Sequence, residues 1–262
     1  KKYFPNSKIT ITFHNDPISL RDSKTLKQRE FLINSCHKII FISRWIQQRF
    51  FLNFVNSNYQ NTEIIYHGVY KEKNINVNKK NKTILFVGKL NKAKGYEIYV
   101  KAAILFKKFD PTWQFIAIGD EPRKNIFPDK NIVSEIGFKT NSEVMNYYKK
   151  SSIAVGNSVW NEPLGRIAIE ASSRKCLPII SDIAGLSESK KIGYVLKKNT
   201  PIELFKILKY LTTNTKLRLK LQNQFYKNNN FDIRNISKSI DSIRQKIFGI
   251  KLFKKDNKTI KI

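Results

Sequence analysis

Acidic residues, cysteine and methionine are the scarce components of this chain. Its 262 residues carry 20 Asp and Glu against 49 Lys and Arg, a formal charge of +29. Such a balance fits anionic partners: nucleotides, nucleic acid or an acidic membrane face. Lys, Asn and Ile are abundant throughout with no confined basic block, so most of the excess reads as compositional bias. The two cysteines, Cys36 and Cys176, fall in different segments; nothing argues for a disulfide framework, and a reducing cytosol fits. No apolar run approaches the ~20 residues that cross a bilayer. There is no Asp-x-Asp metal motif, no internal repeat, and no helix-turn-helix, zinc or RNP pattern that would point to specific nucleic acid. The chain opens Lys1-Lys2-Tyr3, with neither a signal peptide nor a starting Met, and a piece of a longer protein is expected.

What is present is alternation. With 41% hydrophobic residues, a chain of this length fits one large domain or two small ones. Residues 9–13 alternate as a strand and end at His14-Asn15-Asp16-Pro17. A helical pattern follows over about 25–36, then a buried strand at 39–42. Ser43 is placed to cap a helix carrying Trp45, Ile46, Phe50 and Phe51. A third short strand, 64–66, closes at His67-Gly68. Residues 71–82 are polar and aperiodic, and read as a linker. Beyond it, strands are expected at 83–87, 114–118, 132–136, 152–155 and 177–180. Helices are expected after 95, from an Asn141 cap through Tyr148, and over 164–174, 201–212, 215–226 and 233–247. Strands alternating with helices predict parallel sheets. Ligands of open α/β sheets bind outside the carboxyl ends of the strands, and those ends carry His14, Lys89, Gly119, Phe138, the 157–163 loop and Gly185.

The chain is organised around Asn161-Glu162-Pro163-Leu164-Gly165-Arg166-Ile167-Ala168-Ile169-Glu170-Ala171-Ser172-Ser173. A strand feeds a helix N-terminus carrying Gly and no bulky side chain, which is a ready anion site. Two carboxylates eight positions apart would stand roughly 12 Å apart along a helix at about 1.5 Å per residue. That is comparable to the reach from a ribose, across a diphosphate, to a sugar. Glu170 sits among apolar residues, where an unpaired carboxylate is costly to bury. Read structurally, it simply pairs with Arg166 or Arg174, each four positions away. The window alone leaves both readings open. Lys89 and Lys94, each beside a glycine after a strand, are suited to holding a diphosphate, whose two or so charges need compensation as it leaves. The plain alternative is two solvated loop lysines.

Glu162-Pro163-x-Gly165 with Glu170 after seven intervening residues resembles the E-x7-E signature of the family 4 (group 1) glycosyltransferases. The resemblance implies an α/β GT-B-like fold: a complete C-terminal Rossmann-like domain, 83–230, and a partial N-terminal acceptor-side domain, 1–70. Residues 71–82 then form the linker, and 231–262 a helix returning to the N-terminal domain, and a tail. By the same resemblance Glu162, Leu164 and Gly165 meet the donor sugar, and Gly88, Lys89, Lys94 and Gly165 the diphosphate. Glu170 meets the ribose, with Phe138 and Gly119 at the ribose and base. His14 faces the sugar across the cleft, and with Glu162 is a catalytic candidate, with Asn15 and Asp16 on the acceptor side. Gly185 and Glu188 fall in the family's Gly-Gly-x-x-Glu loop. Phe138 is equally readable as core filling, His14 as structural, and His67 as a hinge residue without chemistry.

Three departures stand out. Ala184 replaces the first glycine of that loop, Lys175 stands where the family usually has a helix-terminating glycine, and Leu164 replaces the common Phe. Lys89 stands for the usual Arg, keeping the charge without the bidentate fork.

The implied function is a retaining glycosyltransferase, without metal or other cofactor. It would move a sugar from a UDP-, GDP- or ADP-sugar to a glycan or lipid-linked acceptor, as in lipopolysaccharide or exopolysaccharide synthesis. It would be cytoplasmic, or peripheral on the inner face of the plasma membrane. Two rivals stand beside it: a nucleotide-sugar 2-epimerase of the same fold, and a non-catalytic basic module binding nucleic acid or anionic lipid. Since the acceptor half has only three expected strands, Phe41, Trp45, Phe50 and Phe51 are expected to be under-covered.

Overall fold

Two parallel sheets, each made of short runs of buried aliphatic residues, carry the chain. The computed structural model describes residues 7–57, 59–123 and 126–249. Residues 1–6 and 250–262, at the outer ends of the first expected unit and of the expected tail, lie outside the described residues.

The first sheet contains β1 (Thr10–Phe13), β2 (Lys38–Phe41) and β3 (Thr62–Ile64) in that order, with α1 (Leu26–Ser35) and α2 (Arg44–Phe50) between them. Thr25 begins α1 with a reciprocal capping box to Gln28, and Ser43 caps α2 through the Ile46 amide as its position predicts. The expected under-coverage of this half is not found. Phe41, Phe50 and Phe51 are buried, in one core with Leu164, Ala168, Ile169, Ile180 and Leu186 of the second half, and Trp45 packs against it partly buried. Apolar faces that a larger sheet-and-helix layer would cover are covered here by the neighbouring half. On the opposite face, α8 (Ile233–Phe248) sets Ile236, Ile240 and Ile243 in one cluster with Ile40 and Ile65. Backbone bonds from Val69 to Phe231 and from Ile233 to Val69 fasten its start beside the end of the first half.

The second sheet has six strands in the order β6-β5-β4-β7-β8-β9. They are β4 (Asn81–Val87), β5 (Gln114–Ile118), β6 (Ser134–Glu135), β7 (Ser151–Gly156), β8 (Leu177–Ser181) and β9 (Tyr194–Leu196). Renumbered from its own first strand this is 3-2-1-4-5-6, the doubly wound dinucleotide-binding order, and every pairing is parallel. The strands β7 and β8 are buried along almost their whole length, as a sheet covered on both faces requires. Helices α3 (Tyr96–Phe109), α4 (Asn141–Lys150), α5 (Arg166–Ser173), α6 (Pro201–Thr213) and α7 (Thr215–Asn228) complete it.

Further sequence expectations need correction. The third strand of the first half is Thr62–Ile64 rather than 64–66. The strand at β9 is additional, being only three residues long. Thr140, not Asn141, caps α4, because its hydroxyl and the Glu143 carboxylate form a capping box. Helix α5 begins at Arg166 rather than Leu164: Gly165, at φ +70, is its N-cap, so Pro163 and Leu164 lie ahead of the helix. The span from Glu162 to Glu170 is therefore part loop and part helix, and a straight helical rise does not measure it.

Candidate active site

The order of the second sheet reverses between β4 and β7, and a crevice opens at their carboxyl ends, where such folds bind ligands. A cleft of about 300 Å³ lies there, floored by Gly88, Val155, Gly156 and Tyr148 and walled by the 162–167 segment, Glu170 and Lys94. The first sheet supplies the facing wall with His14, Ile42 and His67. The cleft thus lies between the two halves, at the carboxyl ends of both sheets.

Two ion pairs dominate it. Lys94 Nζ, on a 3-10 turn after β4, lies 2.5 Å from Glu162 Oε1. Arg166 Nη2 lies 2.8 Å from Glu170 Oε1, one turn along α5. Burial pushes the Glu170 carboxyl above its ordinary range, and Arg166, then Arg174, pull it back. Of the two arginines four residues away, only Arg166 forms the pair. Arg174 instead holds the segment after the first sheet, donating to the Tyr70 carbonyl and pairing with Glu72. No side chain caps α5, so its first-turn amides and the positive end of its dipole face the cleft beside Gly165.

The turn that presents Glu162 is fixed from both halves. Gly185 donates its amide to the Glu162 carbonyl, and Ser43 Oγ donates to the Pro163 carbonyl at 2.5 Å. Glu188 accepts the first amides of α2, Arg44 N at 3.0 Å and Trp45 N at 2.7 Å, and the Tyr66 hydroxyl at 2.8 Å. Glu188 therefore ties the two halves together rather than facing the cleft.

Of the predicted site residues, His14, Gly88, Lys94, Glu162, Leu164, Gly165 and Glu170 come together in the cleft. Lys89 does not: it is exposed, outside the lining, while Lys94 is half-buried within it. Phe138 is 77% exposed, which removes the core-filling alternative, and it lies outside the cleft lining, three residues beyond the end of β6. Gly119 packs rather than lines, since a Cβ there would sit 1.9 Å from the Gly88 carbonyl oxygen. Asp16 on the expected acceptor side makes a two-oxygen pair with Arg49 and caps the turn at Ile18. Among the described residues no group of three or more His, Cys, Asp and Glu side chains comes together to hold a metal, and no helix is long and apolar enough to cross a membrane.

Two residues were missed as site members. His67 Nε2 is 3.1 Å from His14 Nδ1, so the two rings form one unit on the cleft wall. Burial, then His14 and Arg166, hold the His67 pKa below its ordinary 6.5. Arg166 was read only as a partner for Glu170, yet it lines the cleft in its own right. Its position directly after Gly165, in the segment read as an anion site, was the available signal; nothing in the sequence joins residues 14 and 67.

A parallel two-sheet fold with these groups gathered between its halves is the GT-B glycosyltransferase fold, and solved structures agree. The chain is similar to HepE from Anabaena, crystallised with UDP, at a TM-score of 0.76 and 16% identity over 94% of this chain and 74% of that one. It is similar also to a glycosyltransferase from Rickettsia africae, at 0.75 and 19% over 95% and 73%. The chain belongs to the glycosyl transferases group 1, whose family model matches residues 70–229. Among curated relatives it is 27% identical to spore coat protein SA of Bacillus subtilis, covering 75% of this chain and 60% of that protein. It is 33% identical to an uncharacterised glycosyltransferase of Haemophilus influenzae, covering 55% and 43%. The chain thus spans about two-fifths to three-fifths of the length of these two relatives.

Proposed function

We propose that this cleft binds a nucleoside diphosphate sugar and serves retaining, metal-independent transfer of the sugar to a glycan, lipid or other acceptor. The observation that carries the reading is the convergence of Lys94, Glu162, Gly165, Arg166 and Glu170 at the switch point of the second sheet. Lys94, Arg166 and the α5 dipole would compensate the diphosphate, Glu170 would hold the ribose, and Glu162 the sugar hydroxyls. Glycosyl transfer then needs no carboxylate nucleophile. The acceptor oxygen bonds to the anomeric carbon from the face the phosphate leaves, the carbon–oxygen bond to phosphate breaks, and the acceptor proton passes to a phosphate oxygen. UDP-bound and UDP-glucose-bound HepE structures support a nucleotide-sugar donor. Cys36 and Cys176 are buried in different clusters, so they are not set to pair with each other, and this supports a reducing, cytoplasmic setting.

The test is a thermal-shift screen of UDP-, GDP- and ADP-sugars, because a ligand of the native state raises its melting temperature. One class of donor is expected to raise it; no shift with any of them would count against the reading. The His14–His67 pair gives the 2-epimerase alternative an acid/base couple that the sequence had not shown. Release of an epimerised sugar nucleotide with no acceptor present would favour that alternative.

A further inference from the structure

Tyr148, on the last turn of α4, is fully buried, yet it lines the donor cleft. Its hydroxyl has no hydrogen-bond partner among the described residues. That is an unusual state for a buried polar atom, which is nearly always paired. The other buried side chains with an unpaired atom differ from it. Arg29, Asn157, Asn199, Arg218 and Gln222 make bonds through their remaining atoms, and Ser189 lies away from the cleft. Among the described residues, Tyr148 alone combines an orphan donor with a place in the cleft lining.

Its neighbourhood says what the hydroxyl would meet. Burial first, and then the Glu170 charge, push the Tyr148 pKa well above its ordinary value, so the phenol is a protonated donor at any working pH. Glu170 offers one oxygen to Arg166, and its second has no partner among the described residues, so an acceptor and a donor stand near each other in the lining of one cleft. A donor beside an acceptor, both held by helices, is the arrangement that grips two adjacent hydroxyls.

We infer that the Tyr148 hydroxyl is a donor-binding group that works with Glu170 on the vicinal diol of the nucleotide's ribose. The phenol donates to one diol oxygen, and Glu170 accepts from the other hydroxyl. This rests on the nucleotide-sugar reading of the cleft and adds to it a residue and a specificity: ribose over deoxyribose. It also explains why the fold tolerates the orphan, since a group that is unpaired in the free protein and paired in the complex favours the complex.

The test compares the wild type with Tyr148→Phe. UDP, GDP and ADP are titrated into both by calorimetry, and the tightest is carried forward with its 2′-deoxy and 3′-deoxy analogues. Tyr148→Phe is expected to bind the ribonucleotide about tenfold more weakly. That difference should vanish for at least one deoxy analogue. The variant should melt at the same or a higher temperature without ligand, because it removes an unpaired buried atom. Equal ribonucleotide affinity in the two proteins would overturn the inference and leave the cleft reading standing. An equal loss on the ribonucleotide and both analogues, or a lower melting temperature, would make Tyr148 a packing residue and overturn it as well. If the wild type binds none of the three nucleotides, the cleft reading itself fails and the inference with it.

Discussion

Lys94 Nζ and Glu162 Oε1, 2.5 Å apart, close a bond between the turn after β4 and the loop after β7. Arg166 and Glu170 make a second such pair within the same cleft. The groups assigned to phosphate and sugar are thus matched with each other in the free protein, each cation held by a carboxylate. On the proposed reading, an entering diphosphate would compete with Glu162 for Lys94, and the sugar hydroxyls would then offer Glu162 new donors. Recognition would be an exchange of partners inside a half-buried site, where such bonds are stronger than at the surface.

Lys94 and Lys89 should therefore differ. Lys94→Ala is expected to weaken nucleoside diphosphate binding by about 1.5–3 kcal/mol, the scale of a hydrogen bond to a charged group. Lys89→Ala, on an exposed residue outside the lining, should cost under about 1 kcal/mol. Calorimetric titration of both variants decides it. Equal losses would return Lys89 to the diphosphate grip.

Glu162→Gln separates sugar from phosphate. Removing the carboxylate frees Lys94, so the nucleoside diphosphate alone should bind at least as tightly as to the wild type. The intact sugar nucleotide should bind more weakly. Glu170→Gln should weaken both ligands, because both carry the ribose. Loss of both ligands in both variants would mean that the donor lies along this segment differently.

Acid should loosen the cleft through His67. Its pKa is depressed by burial, His14 and Arg166, so the folded state disfavours the proton. The stability it contributes is present above 6.5 and is lost as pH falls below that value toward the folded pKa. Glu170 acts with the opposite sign, since its raised pKa makes the folded state bind the proton more tightly. Melting curves from pH 7.5 to 5 should fall for the wild type and be flatter for His67→Gln. Parallel curves for the two proteins would contradict the assignment.

Two strained positions should be improvable. Lys175 at φ 52 and Ala184 at φ 47 are non-glycine residues in left-handed conformation. That conformation costs an L-residue about 1–2 kcal/mol. Glycine removes the strain but loses more chain entropy, about 0.5–1 kcal/mol. Lys175→Gly and Ala184→Gly should each stabilise the protein by roughly 0.5–1 kcal/mol in urea denaturation. The gain should be smaller at Lys175, whose ammonium lies 5.1 Å from the centre of the Tyr226 ring.

These two positions also show what was legible in the sequence. Both were recognised as glycine positions of the family occupied by other residues, and both have positive φ. Most strands were legible because buried parallel strands are short apolar runs: Ile39-Ile40-Phe41, Leu85-Phe86, Ile153-Ala154-Val155. The β9 strand, Tyr194-Val195-Leu196, is apolar too, but it is only three residues long and its first two residues are only partly buried. The start of α5 was placed two residues early because Pro163 suits a first helical turn, while the left-handed Gly165 that caps the helix is visible only as backbone. The Arg166–Glu170 pair was legible as a four-residue spacing. The His14–His67 pair was not, since it joins the ends of two strands across a sheet. Tyr148 was read only as the end of a helix. A buried aromatic in a core and one in a cleft floor carry the same pattern, and only the unpaired hydroxyl tells them apart.

The most direct measurement is calorimetric titration of a nucleoside diphosphate sugar, chosen by the thermal screen, into the wild type and into Lys94→Ala and Glu170→Gln. The account predicts one site per chain in the wild type and weaker binding in each variant, with the melting temperature of the free proteins changed little for Lys94→Ala. Wild-type binding that both variants leave untouched, or no saturable binding of any sugar nucleotide, would contradict it.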